Sequence, residues 1–162
     1  MNTKALLKKI EKADEITYVK CDFTESLIGV TFDKCIIYWI DKKLINLSAI
    51  TILEPGINFM NYIVASSIVK YMLDGKLLSV HTDNKKREVL LLDDRVLVNR
   101  KLLKYIDINR AWFYIMETKN AWCEPVHIYE DNHLIATVCP VRFEEEQIQT
   151  WNEKADKIER IL

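Results

Sequence analysis

Four cysteines and three histidines are the side chains of this 162-residue chain best suited to nucleophilic or metal chemistry. They are Cys21, Cys35, Cys123, Cys139, His81, His127 and His133. A catalytic cysteine needs a histidine within hydrogen-bond reach, and a metal needs ligands that converge on one point. The chain has neither a CxxC pair nor a GxSxG motif. We therefore interpret the cysteines as reduced, partly buried thiols, predict no catalytic residue, no metal site and no cofactor, and rank a hydrolase or nuclease third.

Phosphate-binding loops need clustered glycines, because the backbone must approach the anion closely. The three glycines of this chain, Gly29, Gly56 and Gly75, are far apart. Neither GxGxxG nor GxxxxGK[ST] occurs, which argues against a nucleotide-binding enzyme of the P-loop or Rossmann type.

Residues 111–141 contain the clearest strand pattern and predict a three-stranded antiparallel meander. If both turns have two residues, Trp112 lies opposite His127 and Tyr129 lies opposite Leu134. One face then carries Phe113, Ile115, Trp122, Val126, Ile128 and Ile135, and the other carries Trp112, Tyr114, Met116, Cys123, His127, Tyr129, Leu134 and Val138. The second face is unusually aromatic, and we predict that Trp112, Tyr114, His127 and Tyr129 bind a partner. His127 and His133 fall on opposite faces, which weakens a metal site further.

Residues 84–110 form the one basic region, with eight lysines and arginines against four acidic residues. Lys85, Lys86, Arg87, Arg100 and Lys101 are the candidate contacts to phosphate groups. Beside an aromatic platform they would resemble a surface for single-stranded nucleic acid. The net charge of −1 gives the whole chain no long-range attraction to nucleic acid or to acidic membranes.

The most apolar stretch, residues 57–73, predicts a central helix. Pro55 and Gly56 break the preceding element, Asn58 is a suitable N-cap, and Gly75 is suited to end the helix. A membrane span needs about 20 apolar residues, and polar side chains interrupt this shorter run. We therefore expect a buried helix and no membrane association.

The remaining pattern predicts one α+β domain over residues 1–162, a mostly antiparallel curved sheet packed around the central apolar helix with N- and C-terminal helices. The predicted elements are a helix at 2–13, strands within 15–53 and 76–98, the meander at 111–141 and a helix at 144–162. Residues 99–110 fit either a short strand or a turn of helix capped by Asn99. The apolar residues Ile148, Trp151, Ile158 and Leu162 recur at a heptad-like spacing and would form one stripe along the terminal helix. This stripe could pack on the sheet or mediate self-association in a homodimer. The N-terminus has no signal-peptide pattern, so we expect a cytoplasmic protein.

The apolar helix, the hairpin at 77–92 and the strand ending Val138-Cys139-Pro140-Val141-Arg142 together resemble part of a DNA sliding-clamp repeat. The resemblance covers about half of the chain and would imply a DNA-associated accessory protein. The strands before residue 55 and the long terminal helix depart from that repeat.

These observations favour a non-catalytic protein-interaction module, or a small regulatory or inhibitor protein, that uses the aromatic face or the C-terminal helix. The alternative is a nucleic-acid-associated accessory domain.

Overall fold

The computed structural model describes residues 1–21, 24–33, 35–48, 52–53, 68–71, 76–82, 85–92, 96–116 and 124–141. In these ranges the chain forms one α-helix, two short 3-10 helices and eleven strands in two sheets. The helix α1 is Thr3–Glu11, and the 3-10 helices are Lys42–Leu44 and Arg100–Leu103. The strands are β1 (Thr17–Lys20), β2 (Leu27–Thr31), β3 (Ile36–Asp41), β4 (Ile52–Leu53), β5 (Ile68–Tyr71), β6 (Lys76–Thr82), β7 (Lys85–Leu92), β8 (Val96–Asn99), β9 (Trp112–Met116), β10 (Val126–Glu130) and β11 (His133–Val138).

Eight strands form the large sheet, in the order β4-β1-β2-β3-β11-β10-β9-β5, and β6-β7-β8 form the small sheet. Every neighbouring pair is antiparallel except β1 and β4, which are parallel. The predicted mostly antiparallel sheet is therefore confirmed. None of the helices that the structure describes is long and apolar enough to cross a membrane.

The two sheets bury one shared core between them. Alternate residues of the small sheet join the inward residues of the large sheet in one cluster, which includes Leu90, Leu92, Val96, Val98, Ile28, Val30, Tyr38, Phe113 and Ile128. The Tyr38 hydroxyl donates to the Leu102 carbonyl at 2.6 Å, which ties the large sheet to the 3-10 helix after β8. We call the core side of the large sheet its inner face and the opposite side its outer face.

The N-terminal helix lies where the sequence places it, although it ends at Glu11. The Asn2 Oδ1 accepts from the Ala5 backbone N–H at 3.1 Å, and this bond caps one otherwise unpaired donor of the first turn. Leu6 is buried in the shared core, so α1 contributes an apolar face to the sheets.

The predicted central helix is wrong, because Ile68–Tyr71 form strand β5. β5 lies at the edge of the large sheet and pairs with β9, with Ile68 opposite Met116 and Tyr71 opposite Phe113. Ile68, Val69 and Tyr71 favour the extended backbone, and an apolar run of this kind fits a helix and a buried strand equally well by periodicity. Pairing with β9 decides between them, since it satisfies backbone groups along that strand.

The predicted α+β architecture around that helix is therefore wrong. The described residues form two sheets with one short α-helix near the N-terminus. The rest of the predicted central helix, 57–67 and 72–73, and the predicted C-terminal helix at 144–162 lie outside the described residues. Of the two alternatives for residues 99–110, a short strand or a helical turn, the structure has the helical turn. The Asn99 Oδ1 accepts from the Lys101 N–H at 3.1 Å and caps the 3-10 helix Arg100–Leu103.

The meander is present, but its register differs from the prediction in two places. β9 is shifted by two residues, so Tyr114 rather than Trp112 lies opposite His127. A shift of two leaves every side chain on its predicted face, because the side-chain period of a strand is two. The predicted pairing of Tyr129 with Leu134 is confirmed.

Beyond that pair, β11 contains a bulge that the sequence did not predict. Tyr129 pairs with Leu134 but the preceding Ile128 pairs with Ala136, so Ile135 is the extra residue. The bulge moves Val138 from the predicted aromatic face to the inner face, opposite Val126. The two-residue turn itself is as expected, because Asp131 and Asn132 both have positive φ, 50° and 64°, and these residue types tolerate that conformation.

Candidate functional site

The four aromatic and histidine residues singled out from the sequence share the outer face of the large sheet. Trp112 lies opposite Tyr129, and Tyr114 lies opposite His127, on neighbouring strands β9 and β10. The rings of Tyr114 and Tyr129, which are diagonal neighbours in this register, lie 4.5 Å apart between centroids at an angle of 50°. Trp112, Tyr114 and Tyr129 are each partly exposed. We call these three residues the aromatic patch.

His127 differs from its neighbours because it is buried, with 2% of its surface exposed. Its Nδ1 lies 3.0 Å from the Thr137 Oγ1, and that oxygen also accepts from the Trp39 Nε1–H at 2.9 Å. Burial lowers the pKa of His127 to about 4, so the imidazole is neutral at pH 7. Its Nε2 is buried and has no hydrogen-bond partner among the residues that the structure describes.

The contact between His127 and Thr137 has the spacing of a base and a hydroxyl nucleophile. A substrate would have to reach the hydroxyl, yet Thr137 is 0% exposed and its oxygen already accepts from the Trp39 indole. The arrangement therefore suits a structural role, in which one hydroxyl satisfies two buried ring nitrogens.

These three side chains connect the two halves of the large sheet. One half is β4-β1-β2-β3 and the other is β11-β10-β9-β5, and they meet where β3 pairs with β11. That junction, which we call the seam, has three residue pairs, Ile36 with Val138, Ile37 with Thr137 and Tyr38 with Ala136. The Trp39–Thr137 bond crosses the seam from β3, and the Thr137–His127 contact continues it to β10.

Gly29 makes room for the Trp39 ring. The two residues lie opposite each other on β2 and β3. A Cβ atom at Gly29 would lie 2.8 Å from the Trp39 Cζ3 and 2.6 Å from the Ile37 Cγ2. Glycine inside a strand is unfavourable by itself and commonly marks such a close approach. A second buried cluster lies on the outer face and consists of Val19, Cys21, Ile37 and Trp39.

The predicted basic residues lie on other elements than the strands that carry the aromatic patch. Lys85, Lys86 and Arg87 lie in β7, and Arg100 and Lys101 are exposed in the 3-10 helix after β8. β7 belongs to the small sheet and the 3-10 helix follows directly after β8 of that sheet. The small sheet packs on the inner face, whereas the aromatic patch lies on the outer face. The described backbone therefore puts the two sets of residues on elements at different sides of the large sheet, and the side chains of Lys85, Lys86 and Arg87 lie outside the described part of the chain.

Part of the basic segment does line a cleft of its own, of about 380 Å³. Its walls are Glu88, Arg100, Lys101, Leu103, Lys104, Ile106 and Ile108. The Arg100 guanidinium pairs with the Glu88 carboxylate at 3.2 Å, which leaves the cleft with a surplus of positive charge. The cleft therefore combines basic side chains, which attract anions, with three apolar ones.

No group of three or more histidine, cysteine or acidic side chains could hold a metal within the part of the chain that the structure describes. His133 is exposed, and its Nδ1 contacts the Asp131 carbonyl at 2.8 Å, far from the environment of buried His127. Several predicted site residues lie outside what the structure describes. They are Cys123, the side chains of His81, Lys85, Lys86 and Arg87, and the predicted self-association residues Ile148, Trp151, Ile158 and Leu162.

Comparison of the chain with protein-family models, with curated proteins and with solved structures finds no match. The resemblance to a sliding-clamp repeat requires an apolar helix before the hairpin, but Ile68–Tyr71 form a strand there. The hairpin of that resemblance is present as β6 and β7.

Sequence reasoning missed Trp39 and Thr137. One signal pointed to Trp39: the run CIIYWI is apolar at both alternating positions, which predicts an interior strand buried on both faces. β3 is such a strand, between β2 and β11, and Trp39 is 1% exposed. The hydrogen bond from Trp39 to Thr137 spans 98 positions of sequence, and local pattern gives no access to such a partner.

Proposed function

We propose that this chain is a non-catalytic protein-binding module of regulatory type, and that its partner docks on the aromatic patch. The observation that supports this function is the contact between the Tyr114 and Tyr129 rings, 4.5 Å apart on the face directed away from the shared core. Tyrosine and tryptophan are enriched among the residues that contribute most to protein–protein binding. A cluster of three such rings, each partly exposed, is a suitable centre for an interface.

The patch is also held in place before binding. Tyr114 is opposite His127, which is itself fixed by Thr137, and the two tyrosine rings restrict one another. Docking on rings that are already ordered costs little side-chain entropy. Burial, and next the neighbouring Tyr114, raise the pKa of Tyr129, so the Tyr129 hydroxyl stays uncharged at neutral pH.

The proposal places the protein in the cytoplasm, where four cysteines without a CxxC pair would remain thiols. Two kinds of partner fit the chemistry of the patch, a second copy of the chain and a different protein. Solution mass separates them, because only self-association raises the mass of the purified chain.

The test combines sedimentation of the purified chain with quantitative affinity capture, using the wild type and the double variant Tyr114→Ser/Tyr129→Ser. The matched control is Leu44→Ser, since Leu44 is the most exposed large hydrophobic residue among the described ones, at 51%. We expect a stoichiometric partner, or a dimer mass, that persists at about 0.5 M salt because an apolar interface is little screened. The double variant should weaken it at least tenfold and the control should not.

An unchanged partner in a folded double variant would refute the proposal. Circular dichroism of each variant verifies the fold, so that loss of binding is not confused with unfolding.

A second candidate, a nucleic-acid-associated domain, rests on the cleft lined by Arg100, Lys101 and Lys104. It predicts oligonucleotide binding that falls steeply with salt and is lost in Lys101→Glu/Lys104→Glu. The separation of this cleft from the aromatic patch makes it the weaker candidate. Salt-sensitive binding that survives Tyr114→Ser/Tyr129→Ser would replace the first proposal with this one.

A further inference from the structure

Cys35 and Cys139 lie directly opposite each other where the seam ends. Ile36 on β3 pairs with Val138 on β11, so the next position brings Cys35 opposite Cys139. The Cys139 backbone N–H donates to the Cys35 carbonyl oxygen at 2.8 Å, which shows that the antiparallel pairing extends to these two residues. Two of the four cysteines of the chain thus occupy one cross-strand pair.

Such a pair has the dimensions of a disulfide. Residues directly opposite in antiparallel strands have Cα atoms about 4.5 to 5.5 Å apart and side chains on the same face. A disulfide requires Cα atoms about 4.4 to 6.8 Å apart. Oxidation would therefore join the two sulfur atoms with small side-chain rotations and little movement of β3 or β11.

Both thiols are also accessible to small reagents. Cys35 is exposed and Cys139 is partly exposed, whereas Cys21 is buried in the outer-face cluster. The oxidant class that fits this accessibility is a hydroperoxide, which is small and reacts with thiolates.

We propose that Cys35 and Cys139 form a reversible intramolecular disulfide when the protein meets hydrogen peroxide. In the first step one thiolate attacks a peroxide oxygen, the O–O bond breaks, and a sulfenic acid and one water are formed after protonation. In the second step the other thiol attacks that sulfur, the S–S bond forms, the S–O bond breaks, and a second water leaves. The two thiols lose two electrons and two protons in total, and a dithiol reductant returns them.

The location of the pair determines what the disulfide does. It lies at the seam, where three backbone pairs join the two halves of the large sheet. It would close a loop of about 100 residues, and long closed loops restrict the unfolded chain most. The disulfide therefore locks the two halves together and raises the thermal stability of the fold. This inference is independent of the proposed partner binding.

The test uses the full chain, reduced with dithiothreitol, desalted and then treated with hydrogen peroxide. We expect an intact monomer lighter by about 2 Da, the mass of two hydrogens. A Cys35–Cys139 peptide should appear on non-reducing digestion, and Tm should rise by about 5 to 15 °C. Dithiothreitol should reverse all three changes. The variants Cys35→Ser and Cys139→Ser should show none of them, and the matched control Cys21→Ser should show all.

Three outcomes would overturn the proposal. One is a 2 Da loss that persists in Cys35→Ser, and another is oxidation of the two cysteines to sulfinic acids without a crosslink. The third is a disulfide found between two chains on non-reducing gels. A Cys35–Cys139 crosslink with unchanged Tm would contradict the seam-locking role.

Discussion

The indole of Trp39 donates to the hydroxyl of Thr137 across the seam of the large sheet, with 2.9 Å between Nε1 and Oγ1. Both residues are almost fully buried, so neither group can exchange this bond for one with water. The backbone of β3 already pairs with that of β11 there, and this bond adds a specific side-chain contact at the same place. We infer that Thr137 holds the sheet together from the outer face, opposite the shared core.

The variant Thr137→Val tests that inference, because it keeps the shape of the side chain and removes the hydroxyl. We expect a loss of about 2 kcal/mol in the free energy of unfolding, since the ring nitrogens of Trp39 and His127 both lose a partner in a buried environment. Chemical denaturation measures the change. The control Thr137→Ser keeps the hydroxyl and loses one methyl, which should cost about 1 kcal/mol. A valine variant as stable as the serine variant would contradict the role of the hydroxyl.

Acidification should destabilise the fold through His127. Its pKa is about 4 in the folded chain, below the ordinary value of 6.5, because burial disfavours the charged imidazole. The unfolded state therefore binds more protons between these two values, and its free energy falls relative to the folded state as the pH is lowered. The stabilisation is complete above about pH 6.5, declines as the pH falls, and is lost by about pH 4. Its total is about 3 kcal/mol.

This effect can be measured as the slope of the unfolding free energy against pH between about pH 7 and about pH 5. His127→Gln should remove most of that slope, because no imidazole then titrates at this position. His133→Gln, at an exposed residue of the same hairpin, should leave it unchanged. Equal slopes in the wild type and His127→Gln would show that His127 does not link stability to pH.

The sequence contained most of the strands and one face of the meander, because those depend on local alternation. Trp112, Tyr114, His127 and Tyr129 share a face as predicted, although β9 is shifted by two positions. The alternation could not show the bulge at Ile135, since an extra residue leaves no mark in a run that is apolar on both sides. It also could not show that β3 pairs with β11, because that partnership is decided by packing over about 100 positions.

The error at Ile68–Tyr71 has the same origin. An apolar run with flanking glycine and a suitable N-cap satisfies the local rules for a helix, and the edge of β9 satisfies the backbone of a strand. The pairing of β5 with β9 decides the structure there. The core therefore lies between two sheets and not around a central helix as predicted.

The reactivity of Cys35 should depend on the charge of its neighbour Asp33. Although Cys35 is exposed, partial desolvation of its thiol, and secondly the Asp33 carboxylate, raise the pKa of this thiol, which lowers the fraction of reactive thiolate at neutral pH. The Asp33 Oδ1 also accepts from the Cys35 backbone N–H at 2.9 Å. Asp33→Asn keeps an acceptor in that position and removes the charge. We expect alkylation of Cys35 by iodoacetamide to become faster by a factor of a few at neutral pH.

Mass spectrometry of the Cys35 peptide against time measures that rate. The difference in rate between the wild type and Asp33→Asn should shrink at high pH, where the Cys35 thiol is ionised in both proteins. Cys21 is the internal control, because it is buried and should react slowly in both. A rate for Cys35 that does not change in Asp33→Asn would mean that the Asp33 charge does not control the reactivity of this thiol.

The close contact at Gly29 should make this position intolerant of any side chain. In Gly29→Ala the new methyl group would lie 2.8 Å from the Trp39 Cζ3 and 2.6 Å from the Ile37 Cγ2, so the indole must move away from β2. Moving the ring strains its bond to Thr137, and the two effects should together lower the free energy of unfolding by about 1 to 3 kcal/mol. The measurement is chemical denaturation, with the near-ultraviolet circular dichroism of the folded variant compared with that of the wild type. Combining Gly29→Ala with Trp39→Leu should recover part of the loss, because the smaller side chain no longer collides. A double variant whose losses simply add would show that the indole is not what excludes a side chain from position 29.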